Sequence, residues 1–134
     1  MTIKNLNGLS ILVIDDEIVW GRLLERTFEN AGCSVRIAVT CAEGIKLAEL
    51  HKPDCILLDF HLTDGDAVSI CLAIRSAKSI RKTPVIIFSG DPDAEIPAYT
   101  QCRAAGFILK GSISMEKFPE TVAKILHNVP VIAD

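Results

Sequence analysis

The stretch CILLDFHLTDGD, residues 55–66, is the part of the sequence that decides the fold. It begins with the apolar residues 55–58, and this run ends abruptly at Asp59. A short apolar run bounded by polar residues is typical of a strand buried on both faces of a parallel sheet. The Asp-Gly-Asp that closes the stretch is typical of a turn, and Asp66 is placed to cap a following helix.

An alternation of apolar strands with amphipathic stretches extends from this segment in both directions. Apolar or alternating runs predict four further strands, at residues 9–14, 35–39, 85–88 and 107–109. Helical spacing and capping signals predict helices at residues 18–31, 40–52, 66–74, 96–105 and 114–128. Five strand–helix repeats predict an α/β fold, with a doubly wound five-stranded parallel sheet. The prediction is a single domain over residues 1–134, with its core at about 9–127.

The composition excludes several classes of function. The formal net charge is −3 and no long basic run occurs, which argues against direct binding to nucleic acid. Apolar runs are too short to cross a bilayer, and residues 1–10 lack the core of a signal peptide. The five cysteines show no C-x-x-C spacing, which favours buried free thiols over a disulfide or zinc framework. These observations predict a cytoplasmic protein with no membrane partner.

The predicted strands end in residues that carry chemistry. Asp15 and Asp16 follow the first strand, Asp59 the third, Ser89 the fourth and Lys110 the fifth. Ligands of open parallel sheets bind beyond the carboxyl ends of the strands, so these residues are expected to meet in one place. Three carboxylates side by side repel one another unless a cation joins them, and Mg2+ prefers oxygen ligands. A carboxylate nucleophile, a metal, a hydroxyl and an ammonium are the components of phosphoryl transfer.

Four segments resemble the signature blocks of response-regulator receiver domains of two-component signal transduction, and they occur in the same order. They are ILVIDDE (11–17), ILLDFHLTDGDA (56–67), IIFSGD (86–91) and FILKGS (107–112). The resemblance covers roughly residues 9–127 and implies the flavodoxin-like (βα)5 fold of that family. It implies that Asp59 is the phosphoacceptor. It also implies Mg2+ as cofactor, with Asp16 as a direct ligand, Asp15 acting partly through water, and Asp59 and the backbone carbonyl of His61 completing the protein ligands.

The resemblance also implies roles for residues that follow the fourth and fifth predicted strands. Ser89 resembles the hydroxyl that moves onto the phosphoryl group, and Lys110 resembles the lysine beside it. Phe107 falls at the aromatic switch position, and Gly90 at a position that is small so that phosphate can enter. Gly111 departs from the pattern, because receivers usually have proline there with a cis peptide bond. A cis bond before a non-proline residue costs about 3 kcal/mol, so a differently shaped or more mobile loop is expected.

The resemblance therefore implies a domain that takes a phosphoryl group from a histidine kinase or a histidine phosphotransfer protein. It would then bind an unknown downstream protein, and would catalyse only its own phosphorylation and dephosphorylation. One alternative is a receiver-like interaction module that works without phosphorylation. Another is an aspartyl phosphatase, although His61 occupies the place where such enzymes carry a second aspartate, two residues after Asp59.

Overall fold

The computed structural model describes residues 6–128, and its centre is a five-stranded parallel sheet. The strand order is β2-β1-β3-β6-β7, which confirms the doubly wound prediction. A separate antiparallel pair, β4 with β5, interrupts the series and was not predicted. The strands are β1 Ser10–Ile14, β2 Ser34–Ala38, β3 Cys55–Asp59, β4 His61–Leu62, β5 Gly65–Asp66, β6 Val85–Ser89 and β7 Gly106–Leu109.

Local capping explains where several helices begin. The Thr40 hydroxyl accepts the N–H of Glu43 at 3.1 Å, as a capping box requires, while the Glu43 carboxylate accepts the N–H of Val39 at 2.9 Å. Asp66 accepts the N–H of Ser69 at 3.1 Å and so caps the third helix as predicted. The helices are α1 Ile18–Asn30, α2 Cys41–His51, α3 Ala67–Ser76, α4 Glu95–Thr100 and α5 Phe118–His127.

The last two helices are shorter than the sequence predicted. A 3-10 turn, Pro92–Ala94, leads into α4, which ends at Thr100 rather than near residue 105. The chain then turns through Arg103, whose φ of 52° lies in the left-handed region and cannot continue a helix. A second 3-10 turn, Met115–Lys117, precedes α5, and Pro119 lies in the first turn of that helix, where its missing N–H costs nothing.

The sheet divides the core into two apolar layers. One layer packs under α2, α3 and α4, and the other packs under α1 and α5. All five cysteines are buried as free thiols, as predicted. Among the described residues, the buried polar or charged side chains are Asp15, Asp59 and Ser89. Burying such groups is costly without partners, so their concentration at one end of the sheet locates the candidate site. Within residues 6–128, every helix is too short or too polar to cross a membrane.

Candidate functional site

Asp59 lies at the middle of the site because β3 lies at the middle of the sheet. Asp59 is the last residue of β3, which pairs with β1 on one side and β6 on the other. Asp15 follows β1 directly and its N–H donates to Ala38 O at 3.0 Å, which continues the sheet pattern past the strand. The N–H of Lys110 donates to Ser89 O at 2.8 Å in the same way. The predicted meeting of strand ends is therefore present.

Lys110 is the counter-ion of the acidic residues. Its ammonium donates to the Asp15 carboxylate at 3.0 Å and to Glu17 at 3.5 Å, and it lies 3.6 Å from an Asp59 oxygen. Only 9% of the Lys110 side chain is exposed. A lysine enclosed to this extent interacts with its carboxylates in a medium of low dielectric constant, where charge pairs are strong.

Aromatic rings form the other wall around the Lys110 ammonium. The Nζ atom lies 4.9 Å from the centroid of the Trp20 ring and 4.9 Å from that of Phe88. Cations within about 6 Å of a ring face are attracted by its quadrupole. No sequence pattern predicts Trp20 in the site, because it lies on α1, 90 positions before Lys110 in the chain.

The two buried carboxylates do not both ionise easily. Burial and the nearby charge of Asp15 raise the pKa of Asp59 to about 7, against the opposing effect of Lys110. Burial also raises the pKa of Asp15, although hydrogen bonds from the Glu17 N–H and from Lys110 oppose this. The pKa of Lys110 is raised, because its carboxylate partners outweigh the effect of burial. Without a further cation, Asp15 and Asp59 therefore tend to share one proton near neutral pH.

A divalent cation fits this donor set. Carboxylate oxygens of Asp15, Glu17 and Asp59 all lie within 4.8 Å of one another, close enough to hold one ion. Hard oxygen donors on a charged cluster suit Mg2+, and binding would relieve the repulsion that raises the pKa of Asp59. Sequence reasoning missed Glu17. Asp16 is near enough for its charge to raise the pKa of Asp59, but it is not a member of this group, so its role as a direct ligand stays a prediction.

On the side of the site next to β6, the Ser89 hydroxyl and the His61 ring both contact Asp91 in the loop after β6. Ser89 is 1% exposed, and its Oγ accepts the N–H of Asp91 at 3.1 Å. The Asp91 carboxylate lies 3.3 Å from His61 Nε2, which joins the β4–β5 hairpin to the loop after β6. The His61 ring packs edge-on against Phe60, with 5.0 Å between centroids. The His61 ring is thus engaged at the edge of the site, while its backbone carbonyl as a metal ligand stays a prediction.

The comparisons with known proteins agree with this arrangement. The family described as "Response regulator receiver domain" matches residues 11–123. The chain belongs to this family.

Curated relatives of this receiver include longer regulators. The acid tolerance regulatory protein ActR of Rhizobium meliloti is 35% identical over 81 residues, which cover 60% of this chain and 41% of ActR. Protein PilG of Pseudomonas aeruginosa is 31% identical over 84 residues, 62% of each chain. The matched part of this receiver thus spans about two fifths of ActR and somewhat under two thirds of PilG.

Solved structures show the same fold. The chemotaxis response regulator CheY4 of Vibrio cholerae superposes with a TM-score of 0.78 at 20% identity, covering 89% of this chain and 99% of that one. The receiver domain of the response regulator NarL from Mycobacterium tuberculosis has a TM-score of 0.71 at 29% identity, covering 88% and 98%.

The proposed switch residue of the receiver lies beside the Ser89 side of the site. Phe107 on β7 is half-buried, pairs with Ile87 on β6, and packs against the core layer under α4. A side chain built at Gly90 would meet nothing within 4 Å, so the approach to the site is open at this position. These positions suit the expected switch, and its movement stays a prediction.

Gly111 gives the loop after β7 a shape that proline cannot adopt. Ser112 N–H donates to Leu109 O at 3.0 Å, which closes a four-residue turn. Gly111, third in that turn, has a φ of +85°, and type II turns require a positive φ there. Proline is fixed near a φ of −65°, and residues 6–128 contain no cis peptide bond. Gly111 therefore gives this loop a backbone conformation that proline at the same position could not adopt.

Proposed function

We propose that this receiver accepts a phosphoryl group on Asp59 from a phosphohistidine donor and uses the modification to change a protein-binding surface. The observation that carries the proposal is the surroundings of Asp59. It is 6% exposed, central among the strand ends, and accompanied by Lys110 and a second buried carboxylate. Two buried carboxylates that raise each other's pKa do not help the chain to fold, and such pairs are typical of functional sites.

The proposed transfer is an in-line displacement. An oxygen of the ionised Asp59 carboxylate forms a bond to phosphorus while the phosphorus–nitrogen bond of the donor breaks. The electron pair of that bond returns to nitrogen, and a donor imidazole that carries a proton on its other nitrogen leaves as a neutral ring. Lys110 lies 3.6 Å from Asp59 and is placed to neutralise charge on the phosphoryl oxygens. The Ser89 hydroxyl can donate to the same oxygens if it gives up its contact with the Asp91 N–H.

Mg2+ is the proposed cofactor of this step. It would supply positive charge between the incoming phosphoryl group and the carboxylates. Asp15, Asp16, Asp59 and the backbone carbonyl of His61 are the proposed ligands. Glu17 is close enough to take part, because it belongs to the group of carboxylates that lie within 4.8 Å of one another.

The proposed donor is a histidine kinase or a histidine phosphotransfer protein in the cytoplasm. The start of α1, which directly follows Glu17, exposes apolar side chains beside the site: Ile18 is 45% exposed, Val19 67% and Leu23 44%. Such a surface suits contact with a donor protein that must reach Asp59. The downstream target is proposed to be another protein, with no direct contact to nucleic acid or membrane. The receiver is not proposed to act as an enzyme on other substrates.

Intact mass after incubation with Mg2+ and acetyl phosphate tests the assignment. Wild type should gain one phosphoryl group, and Asp59→Asn should gain none. Asp93→Asn, which changes an exposed aspartate on the loop after β6, should label like wild type. Removal of Mg2+ should abolish labelling, since the single charge of Lys110 does not offset both the carboxylates and the incoming phosphoryl group. Equal labelling of the Asp59→Asn variant would show that another residue is the acceptor.

The same assay separates the two candidate metal ligands. Asp16→Asn should raise the Mg2+ concentration needed for half-maximal labelling by about tenfold, which corresponds to about 1.4 kcal/mol. Glu17→Gln should raise it less. The reverse order would make Glu17 the direct ligand. A folded wild type that takes no label would favour the alternative of a phosphorylation-independent module.

A further inference from the structure

We propose that Trp20 is a positioning residue that holds the Lys110 ammonium over Asp59. This role rests on the proposed function of Asp59 as phosphoacceptor. The observation that carries it is the pair of rings, Trp20 and Phe88, each with its centroid 4.9 Å from Lys110 Nζ. The same ammonium also lies 3.0 Å from Asp15, 3.5 Å from Glu17 and 3.6 Å from Asp59.

A lysine in such a site needs positioning because its stem is flexible. The side chain has four rotatable bonds and ends in a point charge that any of several carboxylates can attract. The Glu17 side chain is 64% exposed and the Asp59 side chain is 8% exposed. Two ion pairs at different depths therefore compete for one ammonium. An ammonium that followed Glu17 outward would leave Asp59 without a nearby cation. The two ring faces attract it at depth and oppose that movement.

Trp20 is itself fixed by three contacts. Its backbone N–H donates to Glu17 O at 3.0 Å in the first turn of α1. Its ring lies 6.2 Å from the ring of Phe88 on β6 and 6.3 Å from that of Phe118 on α5, tilted by 51° and 56°. Tilted aromatic pairs at this spacing are favourable beyond the area they bury. The indole therefore cannot rotate away from Lys110 without losing both aromatic neighbours.

The start of α1 thus contributes two groups around Lys110. Glu17 is the N-cap residue of α1, and Trp20 lies in its first turn. Glu17 supplies a carboxylate at the surface, and Trp20 supplies a ring next to the enclosed Lys110 ammonium. A phosphoryl group on Asp59 would draw the ammonium away from Asp15 and Glu17, and the ring faces allow this shift without exposing the charge to water.

The labelling rate tests the positioning role. Trp20→Leu should slow phosphorylation by acetyl phosphate about tenfold at saturating Mg2+, equivalent to about 1.4 kcal/mol. Trp20→Phe keeps a ring face and should stay within about threefold of wild type. Phe28→Leu changes another buried aromatic residue of α1 and should label at the wild-type rate. A Trp20→Leu variant as fast as wild type, or a Trp20→Phe variant as slow as Trp20→Leu, would overturn the proposal.

An NMR signature separates positioning from general loss of packing. The ε-methylene of Lys110 is bonded to Nζ and lies in the ring currents of both aromatic residues. Its resonances should move toward ordinary lysine values in Trp20→Leu, and should remain displaced in Trp20→Phe and Phe28→Leu. Unchanged Lys110 resonances in a slow Trp20→Leu variant would mean that the ring acts on stability alone, which would also overturn the proposal.

A third measurement leaves Trp20 in place. The chain has one tryptophan, so all tryptophan emission reports on Trp20. Lys110→Met should change the wavelength or intensity of that emission, and Lys124→Met on α5 should not. Identical emission from the three proteins would overturn the contact itself. If wild type takes no phosphoryl label, the proposed function fails, while the NMR and emission results still decide whether Trp20 holds Lys110.

Discussion

Different interactions stabilise the two sides of the site, one beside α1 and the other beside α4. On the α1 side, Lys110 lies among three carboxylates and two aromatic rings, with 9% of its side chain exposed. On the α4 side, the Ser89 hydroxyl accepts the backbone N–H of Asp91, and the adjoining helix spans six residues. Ile96 of α4 is 74% exposed and Tyr99 is 46% exposed, so much of that helix surface is not packed against the core.

Under the proposed function, this difference would give the two sides of the site different roles. Residues that carry out chemistry need fixed positions, and buried charge pairs with aromatic packing supply them. A surface that reports a modification must change at low cost, and local stability is lowest where few apolar groups are buried. The α1 side fits the first requirement and the α4 side fits the second. Three measurements test whether the two sides differ in this way.

The largest expected effect is on stability when Lys110 is removed. Lys110→Met should lower the free energy of unfolding by about 3 kcal/mol at pH 7, because it leaves buried carboxylates without their cation. The matched variant Lys124→Met breaks an exposed pair with Glu120 and should cost at most about 0.5 kcal/mol. Urea unfolding of both variants measures this difference. Similar losses of unfolding free energy in Lys110→Met and Lys124→Met would mean that ion pairs do not stabilise the α1 side of the site.

The second effect is the dependence of stability on pH. The folded chain holds a proton on Asp59 up to a pKa of about 7, whereas an unfolded aspartate releases it near 3.8. Between these values the folded state binds more protons than the unfolded state does, so the free energy of unfolding should fall as pH rises through this range. Asp59→Asn should flatten this fall and be the more stable protein at pH 7.5.

Urea unfolding at several values between pH 4.5 and 7.5 measures the slope. The matched variant Asp93→Asn, on the α4 side, should keep the wild-type slope. Added Mg2+ should reduce the slope in wild type, because a bound cation favours the ionised carboxylates. A slope in Asp59→Asn as steep as in wild type would place the titrating group elsewhere.

The smallest effect concerns the α4 side. Beryllofluoride with Mg2+ should shift the amide resonances of residues 96–107 more than those of 21–28 in α1. A modification shifts a population only through differential contacts, here the bond from Ser89 to the phosphoryl mimic. Ser89→Ala should therefore reduce the resonance shifts at α4 and Phe107, while Asp59 still binds the mimic. The expected change in the free-energy difference between the two conformations is less than about 1 kcal/mol. Ser114→Ala is the control.

Equal shifts at α4 in wild type and Ser89→Ala would separate Ser89 from the signal. Shifts confined to the loops around Asp16 and Asp59 would mean that the α4 side does not report the modification. The output surface would then have to lie elsewhere, for example on α1.

The sequence determined the alternation of strands and helices and the set of residues at the carboxyl end of the sheet. Both depend on local information, because apolar periodicity marks buried strands and a polar residue after each run marks a strand end. Residues Asp15, Asp59, Ser89 and Lys110 were thus predictable as neighbours. The end of α4 was less predictable from the sequence, because it depends on how residues 101–105 lead the chain back to the sheet.

Only the tertiary structure decided the partners of Lys110. Asp15, Asp16 and Glu17 are adjacent in sequence, but the direction of each side chain is set where β1 ends and α1 begins, so that Glu17 joins Asp15 and Asp59. Lys110 and Asp15 are 95 positions apart, and no local pattern brings a lysine against Trp20 and Phe88. Periodicity shows which face of an element is buried, whereas packing across the sheet decides which side chains meet there.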